Sequence, residues 1–389
     1  MDCQKHHFNL PDDLHYLNCA SRGPLTMAVE EAGIDAIRTT TSHIQLLTPE
    51  KFFEPAWEVR GLFTTLINGT DPERVAIIPS VSYGMAIVAR NLGRKAGLKA
   101  GQTILLLEAE FPSDVYAWER VASEYNLNIK TVSMPEGVEI GAQWNSDILE
   151  AIDAQTAMVV CPHVHWMYGI TFDLEAIGAK ARLFGAWLVV DGTQSIGAYP
   201  FDLTKIQPDA LICASYKWLL GPYSLGLAYL GEVFDEGIPI EETWMGRDDS
   251  HLFHQLTDYK RSYRPKAYRY NMGQHSNFIQ LPMLKVALEQ LLRWQPTKIQ
   301  DYCQELLNGI IPELQSSGYT LENEAWRASH LVGFRLPKGV NPIDVQKKLS
   351  ESRIYVSARG AGIRVSPHLY NTEADMQALL KALMPPAKG

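Results

Sequence analysis

The sequence predicts an α/β fold: a large domain with a mainly parallel seven-stranded sheet between helices, then a smaller C-terminal α+β domain. Two observations predict it. Short apolar runs alternate with helical patterns between residues 75 and 230, which is typical of a parallel sheet covered by helices on both faces. Beyond Gly237 the alternation gives way to a polar, aromatic stretch that reaches Asn277, and two long helical patterns follow it.

Each element follows from its periodicity and its flanking residues. Helical spacing runs from about Met27 to Leu66 and is interrupted near Thr48 and Pro49. The seven strands are predicted at 75–78, 103–107, 129–132, 158–161, 187–190, 210–213 and 225–230. Helices are expected between them at 82–93, 114–125, 145–153 and 173–184. The C-terminal part is expected to hold helices at 278–293, 297–316, 342–352 and 373–383 and strands near 330–336, 354–357 and 362–366.

The length of the chain suits two domains, since 389 residues can bury more than one core. We expect an N-terminal arm at residues 1–25, a large domain at 26–279 and a small C-terminal domain at 280–389. The helix at 278–293 is expected to link the two domains.

Composition indicates a globular protein that binds neither nucleic acid nor membrane. Hydrophobic residues make up 46% and charged residues 20%, and the net charge of −9 leaves no basic stripe for nucleic acid. No apolar run approaches the length of a membrane span, and the first residues lack the apolar core of a signal peptide. Five cysteines, an odd number without close pairs, are typical of reduced thiols. We therefore expect a cytoplasmic protein.

The stretch from Ala186 to Lys217 carries the most specific chemical signal. The apolar run at 187–190 ends on Asp191, and the run at 210–213 is soon followed by Lys217. A carboxylate and an amine at two strand ends can meet at the carboxyl edge of a parallel sheet. Pyridoxal phosphate needs this pair: a lysine for a Schiff base and an aspartate that keeps the pyridine nitrogen protonated. The alternative is a solvated lysine and a loop aspartate that never meet.

The same stretch carries a family resemblance. DGTQSIGAYPFDL at 191–203, followed by ASYKWLLGPYSLG at 214–226, resembles the cofactor segment of class V aminotransferases. That family of fold-type I pyridoxal-phosphate enzymes also holds kynureninases, cysteine desulfurases and isopenicillin N epimerase. The resemblance runs over most of the chain, and its cofactor pocket is similar to that of kynureninase-like members. It implies pyridoxal 5′-phosphate as cofactor and a homodimer with active sites at the interface.

A phosphate site is predicted where the first strand of the sheet meets a helix. Ser80, Val81 and Ser82 stand at that junction, and free backbone N–H groups with serine hydroxyls can bind a phosphate dianion there. The alternative role for Ser82 is an ordinary helix N-cap. Tyr216 matches the Ser-Tyr-Lys pattern of kynureninases, and the resemblance implies that it binds the phosphate too.

Three further residues are expected around the cofactor ring. Phe111 and Asp114 belong to a segment that resembles the Phe-Pro-Thr-Asp element of kynureninases, where the phenylalanine stacks on the ring. The alternatives are a core position for Phe111 and a helix cap for Asp114. Gln194 lies three residues after Asp191, where the family offers an amide or a histidine to the phenolic oxygen of the cofactor.

A second group of residues is predicted near the substrate or behind the cofactor. His163 and His165 follow a strand end; we expect His163 behind the cofactor, and either His165 or Trp166 facing the substrate. No metal site is predicted there, because no cysteine or carboxylate stands at ligand spacing. Asn18 is expected near the substrate, because it lies in a segment similar to one that lies beside the substrate in kynureninase-like relatives.

Arg364 belongs to an Arg-x-Ser-x-His-x-Tyr-Asn signature near the C-terminal end. A guanidinium can form two parallel hydrogen bonds with a carboxylate, which suits it to binding an amino acid. The alternative is a surface arginine on a strand. Trp244 and Gln274 fall where relatives donate groups across the dimer interface; Gln274 replaces the threonine that usually binds the phosphate of the neighbouring subunit.

The predicted function is pyridoxal-phosphate chemistry on an amino acid, through a Schiff base on Lys217 and a carbanion at Cα. Aminotransferase-type chemistry leads; kynureninase-like or C–S β-lyase or hydrolase chemistry and amino-acid epimerisation stay open. A cysteine desulfurase is disfavoured, because Phe111 replaces the histidine of those enzymes and residues 355–362 hold no cysteine. An alternative of another class is a catalytically silent regulatory protein that binds pyridoxal phosphate.

Overall fold

The computed structural model describes residues 1–384. These residues contain twelve strands: β1 His15–Tyr16, β2 Val75–Ile78, β3 Thr103–Leu107, β4 Asn128–Val132, β5 Thr156–Pro162, β6 Trp187–Asp191, β7 Ala210–Ala214, β8 Gly226–Leu230, β9 Val332–Arg335, β10 Ile354–Tyr355, β11 Ser357–Arg359 and β12 Gly362–Val365. They also contain twelve α-helices: α1 Met27–Ser42, α2 Glu54–Leu66, α3 Val81–Leu92, α4 Ser113–Tyr125, α5 Gly141–Ala151, α6 Leu174–Leu183, α7 Leu203–Ile206, α8 Gln280–Trp294, α9 Pro296–Asn308, α10 Ile311–Ser316, α11 Pro342–Glu351 and α12 Glu373–Leu383.

Seven strands form the central sheet in the order β2-β8-β7-β6-β5-β3-β4. Six of them are parallel to one another, and β8 runs antiparallel to both β2 and β7. The predicted α/β fold with a mainly parallel seven-stranded sheet is confirmed. The direction of β8 did not follow from the sequence, because a buried apolar run has the same pattern in either direction.

In the central strands other than the edge strand β4, alternate residues enter two separate cores. In β6, Leu188 and Val190 face one core while Trp187 and Val189 face the other. This is the expected consequence of side chains that alternate across a sheet buried on both faces. The first core includes residues of α2, α5, α6, α8, α9 and α12, and the second includes residues of α3 and α4.

The C-terminal part carries its own small sheet, in the order β11-β12-β9, with antiparallel pairs. The N-terminal arm joins it, because β1 pairs in parallel with β10. Helix α8 packs against α1 and α2, so it contacts the part of the chain that precedes the sheet. The domain division near residue 280 stays a prediction, and its end at 389 lies outside the described residues.

The helical pattern expected at 297–316 forms two helices rather than one. Helix α9 ends at Asn308 and α10 begins at Ile311. Pro312 explains the break, because its ring would clash with the carbonyl of Asn308 in a continuous helix. None of the helices within residues 1–384 has both the length and the apolar character needed to cross a membrane.

Candidate active site

A cavity of about 300 Å³ opens at the carboxyl edge of the central sheet. Strands β6 and β7 are neighbours there, so the residues that follow them come together. The cavity is lined by Pro79, Ser80, Val81, Ser82, Phe111, Ser113, Trp166, Asp191, Thr193, Gln194, Ala214, Tyr216, Lys217, Tyr223, Ser224 and Leu225. The structure therefore brings Asp191 and Lys217 into one cavity, as the strand-end argument required.

Lys217 is held among apolar rings rather than by polar partners. Its Nζ lies 5.6 Å from the ring centroid of Phe111 and 5.7 Å from that of Tyr216. Burial lowers the pKa of Lys217 to about 8; the negative charge of Asp191 opposes this shift, and the positive charge of Arg364 adds to it. The amine therefore has a substantial neutral fraction near neutral pH, which a nucleophile or general base requires.

Asp191 ends β6 and is fixed by the turn that follows it. The backbone N–H of Thr193 donates to Asp191 Oδ1 at 2.8 Å. Two more carboxyl groups lie close by. Burial raises the pKa of Asp114 well above its usual range, and the charges of Asp191 and Glu110 add to the shift. Burial, with the charge of Asp191, likewise raises the pKa of Glu110 to about 8. Burial therefore disfavours the charged form of both groups, which limits the negative charge around Asp191.

The start of α3 forms one end of the cavity. Ser80 is the N-cap: its Oγ accepts from the N–H of Tyr83 at 3.2 Å and lies 3.0 Å from Oγ of Ser82. Ser82 stands in the first turn of α3, so Ser80 rather than Ser82 has the capping role. The first backbone N–H groups of a helix lack helical partners, so those of Val81 and Ser82 can donate to an anion.

Aromatic and amide groups form the walls. Phe111 leaves 41% of its surface exposed and meets Trp166 edge to face, with 5.6 Å between ring centroids. Gln194 is held on both sides: its Nε2 donates to the carbonyl of Ala20 at 3.1 Å, and its Oε1 accepts from Nε1 of Trp218 at 2.9 Å. A flat exposed ring and a fixed amide therefore border the space around Lys217.

Arg364 approaches this cavity from the small sheet. Only 2% of its surface is exposed, and its Nη1 donates to the carbonyl of Trp166 at 2.7 Å. Burial lowers the pKa of Arg364 to about 9, and the positive charge of Arg359 contributes. Asn18 lies beside the same sheet, where its Oδ1 accepts from Oγ of Ser357 at 2.8 Å. Neither Arg364 nor Asn18 lines the 300 Å³ cavity itself.

Neither predicted histidine lines the cavity, although the backbone N–H of His163 donates to the carbonyl of Asp191 at 3.2 Å. His163 packs between Tyr199 and Phe201, with ring centroids 5.0 and 5.4 Å away, and burial lowers its pKa to about 3. His165 is fully buried beside Trp144 and Tyr168, and burial lowers its pKa to about 4. Of the two residues considered for the substrate side, Trp166 lines the cavity and His165 does not.

Trp244 and Gln274 also lie apart from Lys217 within one chain. They share a second cavity of about 540 Å³ with Phe52 and Phe278. Their predicted role across a dimer interface stays a prediction, as do the individual roles of the other site residues.

Several residues that line the cavity were not predicted from the sequence, among them Ser113, Thr193, Tyr223 and Ser224. Thr193 could have been predicted from the sequence, because it stands two residues after Asp191, where a backbone N–H commonly donates to an aspartate side chain in a turn. Tyr223 and Ser224 could not have been predicted in this way, because they reach the cavity only through the path of the loop after Lys217. That loop has a left-handed backbone at Ser224, where φ is 63°.

Comparison with known proteins identifies the family. The family model described as aminotransferase class V matches residues 41–379. The chain belongs to the class V aminotransferase family. Pyridoxal 5′-phosphate is the cofactor of that family, so the chain is a pyridoxal-phosphate-dependent enzyme of this family.

The residues of the cavity fit this cofactor. The start of α3 offers unpaired N–H groups for a phosphate, Asp191 offers a carboxylate for a pyridine nitrogen, and Phe111 offers an exposed flat face. No side-chain hydrogen bond or ion pair within residues 1–384 occupies the amine of Lys217, so it is free to react with an aldehyde.

Relatives in the family carry different names. An isopenicillin N epimerase of Streptomyces clavuligerus is 25% identical over 94% of this chain and 93% of its own length. An uncharacterized aminotransferase, YcbU, of Bacillus subtilis is 26% identical over 82% of this chain and 80% of its own. The apo structure of a cysteine desulfurase from Thermococcus onnurineus NA1 superimposes with a TM-score of 0.82 at 20% identity, covering 98% of this chain and 97% of that one. That likeness confirms the fold.

Proposed function

We propose that this protein acts on an amino acid through a Schiff base on Lys217 and proton transfer at Cα, as an enzyme of aminotransferase type. The observation that carries the proposal is the convergence of the Lys217 amine and the Asp191 carboxylate in one cavity. The lowered pKa of Lys217, about 8, supports it, because the neutral amine is the reactive form.

When bound, pyridoxal phosphate supplies an aldehyde that captures amino groups and an electron-poor ring that stabilises negative charge at Cα. The chain's own residues would hold it. Asp191 would pair with the ring nitrogen, and the N–H groups of Val81 and Ser82 with the phosphate, assisted by Ser80 and Tyr216. Phe111 would cover the ring and exclude water from it. Gln194 would donate to the phenolic oxygen after turning from Ala20.

Other residues would act on the substrate. Arg364 would bind the α-carboxylate, because its buried guanidinium has an unpartnered Nε. Asn18 lies beside the same sheet and would contact the substrate. Once released by the incoming amino group, Lys217 would remove and return protons near Cα as general base and acid. Whether the proton returns to Cα or to the cofactor decides between epimerisation and transamination.

Epimerisation of an amino acid is the second candidate. Its support is the similarity to an isopenicillin N epimerase over 94% of this chain. The two candidates share the first proton transfer and differ in their products. Formation of a keto acid marks transamination, while inversion at Cα without a keto acid marks epimerisation.

We also propose a homodimer that works in the cytoplasm. Trp244 and Ile279 leave 41% and 38% of their surfaces exposed around the second cavity, and large exposed apolar side chains favour association. All five cysteines are unpaired and four of them are buried, which agrees with a reducing compartment.

Borohydride trapping tests the proposal. The reduced holoprotein is expected to carry the pyridoxyl group on the peptide that contains Lys217, as read by mass spectrometry. Wild-type protein should also exchange the Cα hydrogen of a suitable amino acid in D₂O, and Lys217→Ala should abolish that exchange. The exposed Lys338→Ala is the matched control and should behave as wild type.

Two results would contradict the proposal: a label on another side chain, or Cα exchange that persists in Lys217→Ala. Labelling at Lys217 without exchange of any tested amino acid would instead favour the catalytically silent alternative.

A further inference from the structure

Two arginines lie side by side on one face of the small sheet. Strands β11 and β12 pair so that Ser357 is opposite Arg364 and Arg359 is opposite Gly362. Side chains two residues apart on a strand share a face, and directly opposed residues do too. Arg359 therefore lies on the face of Arg364, as its diagonal neighbour.

Trp166 connects this pair of arginines to the cavity that holds Lys217. The carbonyl of Trp166 accepts from Arg364 Nη1 at 2.7 Å, and the guanidinium carbon of Arg359 lies 5.6 Å from the centroid of its ring. Trp166 itself lines the cavity. Both guanidiniums thus border the same wall of the site.

The two positive charges have no negative partner among the described residues. The Nε atoms of Arg359 and Arg364 are buried without a hydrogen bond, and neither side chain forms an ion pair with a carboxylate within residues 1–384. Burial lowers the pKa of both groups, and in Arg364 the charge of Arg359 adds to the effect. Two adjacent, partly desolvated cations are unfavourable unless an anion compensates them.

The proposed function uses one of these arginines. An α-carboxylate neutralises Arg364 and leaves Arg359 without a partner. The hydrogen bond from Arg359 Nη1 to the carbonyl of Ala358 at 2.7 Å orients the group but does not neutralise it. A second anionic group on the bound molecule would complete the charge balance, and a carboxylate matches the fork of N–H donors on a guanidinium.

We propose that Arg359 binds a side-chain carboxylate, so that the substrate class is an amino acid with an acidic side chain. This assignment rests on the proposed function for its α-carboxylate contact, but the second anion site is defined by Arg359, Arg364 and Trp166 alone. Arg359 is a specificity-determining residue, because it contacts the distal end of the substrate and not the reacting atoms.

Calorimetric titration of the holoprotein with simple diacids tests the site without any covalent step. Succinate, glutarate and adipate are compared with their monoamides, because the diacid and monoamide of each length differ in one charge. The wild-type protein should bind at least one diacid about tenfold more tightly than its monoamide, as expected for one charged hydrogen-bonded pair. Arg359→Gln should bring that ratio close to one.

Two further variants show whether the charge at this position is responsible. Arg359→Lys keeps the charge without the fork and should retain a larger ratio than Arg359→Gln. Arg353→Gln removes a charge from an exposed arginine of the same region, which pairs with Asp13, and should keep the wild-type ratio. Melting temperatures of all variants establish that each one is folded.

The assignment is overturned if wild type binds every diacid and its monoamide equally, or if the ratio is unchanged in Arg359→Gln. Equal ratios in the lysine and glutamine variants would also overturn it. Failure of the proposed function looks different: borohydride then leaves Lys217 unlabelled while the diacid preference persists.

Discussion

The buried environment of the Lys217 amine favours its neutral, basic form. Burial lowers its pKa from the usual 10.5 to about 8, so below pH 8 the neutral fraction rises about tenfold with each pH unit and levels off above it. The rate at which the apoprotein takes up pyridoxal phosphate should follow the same curve. Stopped-flow absorbance from about pH 6 to about pH 12 measures it, and Nα-acetyl-lysine is the solvated reference, which should level off about 2.5 pH units higher.

The charge of Arg364 provides a second test of this prediction. Because the positive charge of Arg364 lowers the pKa of Lys217, Arg364→Gln should move the midpoint to higher pH. A wild-type rate that still rises tenfold per unit between pH 8 and 10 would mean that the amine is not desolvated, and the prediction would be wrong.

At the scale of elements, the N-terminal arm supports the turn that carries Lys217. The N–H of Gly23 donates to the carbonyl of Tyr216 at 2.9 Å, and a Cβ at position 23 would overlap the carbonyl oxygen of Lys217 and lie 2.8 Å from Leu220 Cδ2. Gly23→Ala should therefore displace this turn, lowering kcat/KM by about 100-fold and stability by about 1–3 kcal/mol. Steady-state kinetics and thermal melting measure the two effects.

A second glycine provides the control for that substitution. Gly61 lies within α2, and no heavy atom would come within 4 Å of an added Cβ. Gly61→Ala should keep wild-type kinetics and raise stability by about 0.5–1 kcal/mol, because alanine favours a helix. Wild-type kinetics in Gly23→Ala would show that the arm does not position Lys217.

The elements also show which residues of the site could be predicted from the sequence. Asp191 and Lys217 were predictable, because each follows a strand whose apolar run is visible and parallel strands end at one edge. The same reasoning could not separate His165 from Trp166, since both follow β5 and they differ only in tertiary packing: His165 packs against Trp144 and Tyr168, while Trp166 lines the cavity. Arg359 gave no signal, because its relation to Arg364 depends on the register of a hairpin.

At the scale of the whole molecule, Trp244 and Gln274 lie at a cavity separate from the site of their own chain. Gln274 is exposed, with a left-handed backbone at φ 57°, and lies with Trp244 at a cavity separate from that of Lys217. In a symmetric dimer each such patch can face the site of the other subunit. We predict that Gln274 of one subunit helps to hold the phosphate bound by the other.

Mixed dimers decide this prediction. Lys217→Ala and Gln274→Glu homodimers should each lose cofactor on dialysis. The first lacks the amine that forms the Schiff base, and in the second a carboxylate repels the phosphate. If Gln274 acts across the interface, a hybrid of the two variants combines an intact lysine with an intact glutamine in one of its two sites. The hybrid should then retain about half of the wild-type cofactor, measured by absorbance after tandem-tag purification. If Gln274 acts within its own chain, both hybrid sites stay defective and the cofactor is lost. Sedimentation of the wild-type protein as a strict monomer would contradict the dimer itself.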